Sequence, residues 1–354
     1  MKAYLVLENG MVFSGQRIGS PADSLGELVF TTGMVGYLET LTDPSYAGQI
    51  IMQTFPLIGN YGLISDDFEG SCFAKGYVVR ELCESPSNFR SEGGLNEFLK
   101  EHNIPGICGV DTRAITRIIR ENGVMNAKIV SEIPDDISDI KAYRVSGVVS
   151  EVSRKNAKDF APTELFHVAL IDYGAKKSIV RCLQNRGCRV SVLPHDVKAE
   201  DVLSLDIDGI MLSNGPGDPA ENTFEIEQIK KLVGRLPIFG ICLGHQLLAL
   251  AMGGKTYKLK YGHRGANQPV TRLSDGRSFI SSQNHGYAVD SDSMKGLAAL
   301  SYINANDKSC EGLDYPEQHA FSVQFHPEAS SGPHDTEFLF DRFIKMMEDF
   351  HAQR

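Results

Sequence analysis

No apolar run in the 354 residues approaches the roughly 18 that a membrane-spanning helix needs. The sequence also lacks an excess of positive charge. Its 35 Lys and Arg face 45 Asp and Glu, for a formal net charge of -10, whereas a nucleic-acid backbone asks for clustered Lys and Arg. No Cys-x-x-Cys pair occurs, and the seven cysteines (72, 83, 108, 182, 188, 242 and 310) are odd in number. That pattern speaks against a disulfide framework or a zinc site and for free thiols in a reducing compartment. The apolar stretch at residues 3–7 is too short for a signal peptide before Glu8-Asn9-Gly10 interrupts it. Internal repeats, low-complexity segments and a Gly-Lys-[Ser/Thr] phosphate loop are missing as well. These absences leave a soluble cytoplasmic protein as the expectation, with no nucleic-acid or membrane partner and no metal.

What is present is ordinary in bulk and informative in order. Hydrophobic residues make up 42% and charged residues 23%, enough for two cores. At about 100–200 residues per domain, the length suggests two domains. Residues 3–7 and 11–18 read as strands of a hairpin, with Asn9-Gly10 as a two-residue turn. Further strand-like runs at 27–31, 49–55 and 76–80, and helical runs at 95–102 and 113–121, give a smaller mixed α/β domain over residues 1–150. The polar stretch 151–165 reads as a linker.

From 166 to 354 the pattern changes. Short continuous apolar strands at 167–171, 189–193, 209–212 and 237–241 alternate with helices at 176–186, 224–236 and 244–252. Such alternation predicts βαβ units in a doubly wound, largely parallel sheet with flanking helices. Strands buried on both faces are apolar throughout for that reason. Residues 335–350 read as a closing amphipathic helix that packs Phe338, Phe340, Phe343, Met346 and Met347 into the core.

Three segments carry chemistry. In Phe239-Gly240-Ile241-Cys242-Leu243-Gly244-His245-Gln246 an apolar strand enters a helix through Gly-x-Cys-x-Gly. This is the cysteine form of the nucleophile elbow, a sharp turn that lifts the nucleophile above the sheet edge. The helix N-terminus behind it favours a thiolate and offers N–H groups to a developing oxyanion. The competing reading is a buried structural cysteine beside packing glycines.

In Phe325-His326-Pro327-Glu328 the alternation of an extended chain turns His326 and Glu328 to one side. A base with its orienting carboxylate has that arrangement. Alone it is only suggestive, since a His near a Glu is more often a surface pair, and the sequence does not show that His326 reaches Cys242. Ser213-Asn214-Gly215-Pro216-Gly217-Asp218-Pro219 follows another buried strand, where doubly wound sheets bind ligands. It reads as a turn or as a ligand loop. The clusters 260–270 and 283–290 are rich in polar residues and glycine. Their His263 and His285 match no metal-ligand spacing and read as loop residues that hydrogen-bond substrate or backbone.

Taken together, the elbow and the His-Pro-Glu segment resemble the class I glutamine amidotransferases over about residues 165–354. The leading part sharpens the resemblance. Thr31-Thr32-Gly33-Met34-Val35-Gly36-Tyr37, Thr42-Asp43-Pro44-Ser45-Tyr46 and Cys108-Gly109-Val110-Asp111-Thr112-Arg113 are similar to the N-terminal domain of carbamoyl-phosphate synthetase small subunits. So are Ile171-Asp172-Tyr173-Gly174-Ala175-Lys176, residues 262–269 and residues 328–335.

The resemblance implies a glutaminase in which Cys242 forms a γ-glutamyl thioester, His326 acts as acid and base, and Glu328 orients it. It implies an oxyanion hole from the Gly217 and Leu243 amides. Glutamine contacts would come from Ser45, Gly215, Gln246, Asn284, Gly286 and Tyr287. The family often has Phe where Tyr287 stands, a change that a main-chain contact survives. Ammonia would pass through a tunnel to a large subunit, in a heterodimer or higher assembly. That partner would hold the ATP and Mg, and the carbamoyl phosphate would feed arginine and pyrimidine synthesis. No cofactor is implied in this chain.

Two alternatives remain. An anthranilate, GMP or CTP synthase glutaminase would share the catalytic half but not the Thr-Asp-Pro-Ser segment in a leading domain of this kind. A non-catalytic flavodoxin-like scaffold would lack the cysteine or the His-Pro-Glu.

Overall fold

The computed structural model describes residues 1–160, 165–329 and 331–353. The chain forms two compact units, Met1–Ser146 with Lys260–Gly265, and Gly147–Leu259 with Ala266–Arg354.

The first unit is built on a closed seven-stranded barrel. Its strands are β1 (Lys2–Leu7), β2 (Val12–Gly19), β3 (Ser24–Thr31), β4 (Gln49–Gln53), β5 (Gly76–Val78), β6 (Pro105–Cys108) and β7 (Met125–Val130). Around the barrel they run β1-β2-β6-β5-β4-β3-β7, and β7 closes on β1. The expected first hairpin is present, but its loop has three residues rather than two. The Gly10 N–H bonds the Leu7 carbonyl, the Leu7 N–H bonds the Met11 carbonyl, and Gly10 takes φ 85. A three-residue loop with glycine in the left-handed position suits the strand twist as well as a two-residue turn does.

Helix α1 (Thr112–Asn122) is capped by the Asp111 carboxylate, which accepts from the Ala114 N–H. Ile115 and Ile119 of this helix enter the barrel core with Leu5, Leu28, Ile50, Val78 and Ile107. The Thr-Asp-Pro-Ser segment is a capped 3-10 turn, Pro44–Tyr46, with Asp43 Oδ1 accepting from the Ser45 N–H at 2.9 Å.

The second unit is a ten-stranded sheet. Its strands are β8 (Lys158–Phe160), β9 (Phe166–Asp172), β10 (Cys188–Pro194), β11 (Gly209–Leu212), β12 (Ile238–Ile241), β13 (Thr256–Arg272), β14 (Ser278–Val289), β15 (Ala299–Asn304), β16 (Cys310–Tyr315) and β17 (Ala320–Val323). The sheet order is β8-β10-β9-β11-β12-β17-β16-β15-β13-β14. Strands β10, β9, β11, β12 and β17 run parallel; β8 at one end, and β16, β15 and β13 beyond β17, pair antiparallel.

Alternate residues of the parallel strands feed two cores. Ala169, Ile171, Ile210, Leu212 and Ile238 pack with Ile229, Leu232, Leu247 and Leu248 of the helices on one face. Val168, Leu170, Met211, Phe239, Ile241 and Phe321 pack with Ile179 and Leu183 on the other face. That two-sided burial is why the strands carry unbroken apolar runs. The last helix, Phe338–Ala352, adds Phe340, Phe343 and Met347 to the second core, with Phe338 and Met346 half-buried against it.

The break between units falls at Ser146/Gly147, ahead of the polar stretch 151–165. Gly147 takes φ 66 and starts the short helix Val148–Val152, whose Val149 joins the first of the two cores. Strand β8, inside the expected linker, pairs with β10. Both pieces are short, so they leave no periodic signature, and the charged run 151–159 reads as a linker. Residues 161–164 of that linker and Ser330 of the 328–335 motif lie outside the described residues. Among the described residues no helix is long and apolar enough to cross a membrane.

Phe239 is the tightest knot of the aromatic core, stacked on Phe321 at 4.3 Å and edge-on to Phe340 at 5.6 Å. Phe239→Ala is expected to destabilise the second unit by about 3–5 kcal/mol. Leu273→Ala, in an exposed turn, should cost less than about 0.5 kcal/mol. Urea denaturation of the full chain checks the contrast, and equal effects would contradict this description of the core.

Candidate active site

Three parallel strands end together at the site. Strand β12 leads into Cys242, which is the N-cap of the helix Leu243–Ala251. Cys242 has φ 53 and ψ -103, a conformation that L-residues rarely adopt and that surroundings must enforce. Two glycines allow it. A Cβ on Gly244 would sit 2.3 Å from the Leu212 carbonyl oxygen, and one on Gly240 would sit 2.8 Å from the Gly244 oxygen. The Gly244 N–H bonds the Ser213 carbonyl at 3.0 Å, and the Cys242 N–H bonds the Val323 carbonyl at 2.8 Å. The elbow expected from Gly-x-Cys-x-Gly is therefore stapled to the strands on both sides.

The Cys242 Sγ is buried and lies 3.7 Å from the Asn284 carbonyl oxygen on β14. Among the other cysteines, burial pushes the Cys72, Cys188 and Cys310 thiols up to about 12. Those three remain protonated and poor nucleophiles at neutral pH.

His326 follows β17 and is fully buried. Its N–H bonds the Ser282 carbonyl at 2.9 Å. Its Nδ1 donates to Glu328 Oε1 at 2.6 Å, so the side-by-side placement expected from His-x-Glu is realised. Nδ1 being engaged, Nε2 is the nitrogen left for Cys242. It makes no hydrogen bond of good geometry among the described residues, yet the cysteine interacts with the ring electrostatically. Burial and the Lys176 ammonium both disfavour a charged imidazole. The Glu328 carboxylate and Cys242 outweigh them and bring His326 up to about 9. Burial likewise pushes the Glu328 carboxyl up, while His326 and Lys176 pull it down to about 2. Lys176, with Nζ 3.5 Å from Glu328 Oε1, stands in the sequence only as the last residue of the 171–176 motif. Its signal was position, since it follows the C-terminal end of β9, where such sheets gather ligand residues.

A second histidine, His245, is closer to Cys242 in sequence. It is buried against β17, with Nδ1 2.8 Å from Ser322 Oγ, and burial lowers it to about 3. A ring held neutral there packs the helix onto the sheet.

The loop after β11 meets the elbow. Gly215 lies so close that an added Cβ would be 2.3 Å from the Tyr173 oxygen and 2.7 Å from Leu243 Cδ2. Gly217 has φ 88 and its Cβ would meet Val148 at 2.8 Å. Gln246, one turn past Cys242, donates from Nε2 to the Tyr287 carbonyl at 2.8 Å and to Gln324 Oε1 at 2.9 Å. Asn284, Gly286 and Tyr287 share β14 with His285, whose ring bonds the Tyr287 carbonyl and Gln283 Oε1. Ser45 sits in the first unit, in the capped turn described above. Sequence reasoning missed Gln324, because a lone glutamine in a strand-like run carries no pattern.

Relative to an unfolded chain, where the two groups titrate near 6.5 and 4.5, the raised imidazole adds stability that is full below 6.5. That part is lost as pH climbs through 9. The lowered carboxyl adds stability that is full above 4.5 and lost as pH falls through 2. The difference in thermal stability between the wild type and Glu328→Gln is expected to be largest between those ordinary values and to shrink as the pH approaches about 9. A difference that stays flat over the alkaline range would contradict a charged pair.

Two family descriptions match the chain: "Carbamoyl-phosphate synthase small chain, CPSase domain" over residues 5–129 and "Glutamine amidotransferase class-I" over residues 169–346. The carbamoyl phosphate synthase small chain of Oceanobacillus iheyensis is 50% identical over 351 residues, covering 98% of this chain and 96% of its own length. The carbamoyl phosphate synthase pyrimidine-specific small chain of Bacillus subtilis is 50% identical over 353 residues, with 98% and 96% covered. Among solved structures, a glutamine amidotransferase from Thermotoga maritima aligns with 52% of this chain and 85% of its own. Its TM-score is 0.40 and its identity 20%. With identity at the level of the two small chains running through both units, the chain belongs to the carbamoyl phosphate synthase small chains, a small-chain domain followed by a class I glutamine amidotransferase domain.

Proposed function

We propose that this chain hydrolyses L-glutamine at Cys242 and delivers the ammonia to a large subunit, which makes carbamoyl phosphate from bicarbonate and ATP. The observation that carries the proposal is the buried line from Cys242 through His326 to Glu328 at the C-terminal edge of the parallel strands. Its position inside the amidotransferase match and the full-length likeness to small chains support the same reading.

In the proposed reaction the Cys242 sulfur attacks the side-chain amide carbon of glutamine. Negative charge gathers on the amide oxygen, where the Gly217 and Leu243 N–H groups would receive it. Preorganised donors of this kind are worth about 3 kcal/mol each. In the charged pair the sulfur's proton already sits on His326, and the imidazolium gives it to the departing nitrogen. Ammonia leaves and a γ-glutamyl thioester remains. Water then attacks the thioester, His326 takes a proton from it, and glutamate is released with the thiol restored. Glu328 keeps Nδ1 protonated and presents Nε2 to the sulfur, and its charge supports the imidazolium in both half-reactions. Ser45, Gly215, Gln246, Asn284, Gly286 and Tyr287 would hold the amino-acid end. ATP and Mg belong to the large partner, in a heterodimer or a higher assembly, and this chain needs no cofactor of its own.

Cys242→Ala is expected to lower glutamine-dependent carbamoyl phosphate synthesis by the reconstituted complex at least about 10³-fold. Synthesis from added ammonia should continue at the wild-type rate. Product assays with each nitrogen source decide the matter. Near-normal glutamine use by the variant would end the proposal.

A further inference from the structure

One buried side chain beside the proposed glutamine site has no task in the reaction above. Gln324 lies two residues before His326 and is fully buried. Its N–H bonds the Glu311 carbonyl at 2.9 Å. Its side-chain oxygen accepts from Gln246 Nε2, while its own Nε2 has no partner among the described residues. An apolar side chain of the same length would fill that space without burying an unpaired N–H. Packing therefore does not explain a glutamine at this position.

The bond to Gln246 explains it better. Gln246 Nε2 donates one proton to the Tyr287 carbonyl, which only accepts, and the other to Gln324. Both protons are committed and the amide can neither flip nor swing. Its Oε1 makes no hydrogen bond to a described residue, so a ligand meeting Gln246 meets an acceptor only. A carboxylate is disfavoured there and a donor, best a cationic one, is favoured. Gln246 is four residues past Cys242 on the same helix, about 6 Å along its axis. A substrate whose amide carbon is at the Cys242 sulfur would bring its far end, the α-ammonium, to that oxygen.

Resting on the glutamine hydrolysis proposed above, we infer that Gln324 is a positioning residue. It holds the Gln246 oxygen toward the α-ammonium and thereby sets a preference for an amino-acid amide over the same amide without the amino group.

The test uses the full chain in complex with its large subunit. L-glutamine and its des-amino analogue glutaramate are compared as ammonia donors for the wild type, Gln324→Met and Gln324→Glu. The Met variant keeps the length and loses the acceptor; the Glu variant keeps both. For Gln324→Met, KM for L-glutamine should rise about tenfold with little change in kcat, while kcat/KM for glutaramate stays as in the wild type. Gln324→Glu should keep most of the wild-type preference. Equal losses on both substrates would mean a merely structural role and overturn the inference, as would an unchanged preference in Gln324→Met. If the Met variant fails to fold, the Glu variant decides alone, and loss of the preference there overturns the inference. A wild-type complex that releases no ammonia from L-glutamine would instead refute the proposed function itself, and the Gln324 role with it.

Discussion

Gly244 and the Leu212 carbonyl touch, backbone against backbone, and the rest of the site depends on that contact. It lets the helix behind Cys242 start within a residue of the strand that precedes it. Because the helix is seated so low, the Gly244 N–H reaches the Ser213 carbonyl, and the helix start lies against the head of the Ser213–Pro219 loop. The strained φ of Cys242 is the local cost of this seating, at about 1–3 kcal/mol for such a conformation. Hydrogen bonds to Ser213 and Val323 on the neighbouring strands hold the strain in place.

The second dependence is electrostatic. Taken out of water, an imidazole and a carboxyl would each become neutral. Here they are charged because they are 2.6 Å apart and because Lys176 adds a second cation to the carboxylate. The same cation works against the imidazolium, so Lys176 moderates how firmly His326 holds its proton. A base that must both take and return a proton gains from such a balance.

Much of this was legible in the sequence, and for local reasons. The elbow is a run of eight residues, and its glycines are dictated by contacts within a few ångströms. His326 and Glu328 do come together, but through a turn at Pro327-Glu328, closed by the Ala329 N–H on the His326 carbonyl, and not through the alternation of an extended chain. Continuous apolar strands revealed a sheet covered on both faces. What stayed hidden was non-local. Closure of the barrel needs β1 to meet β7, at opposite ends of the first unit. Lys176 reaches Glu328 only once β9 and β17 lie in one sheet. Gln324 became visible only through Gln246, from another element. The helix Val148–Val152 and strand β8 stayed hidden because they are too short to leave a periodic signature.

The central claim is that Cys242 carries the substrate covalently. Acid quenching of the complex during turnover of L-glutamine, followed by digestion and mass spectrometry, tests it most directly. The account predicts a γ-glutamyl adduct on the peptide that contains Cys242, absent when glutamine is omitted. Steady consumption of glutamine with no adduct on that peptide, or with the adduct on another cysteine, would contradict it.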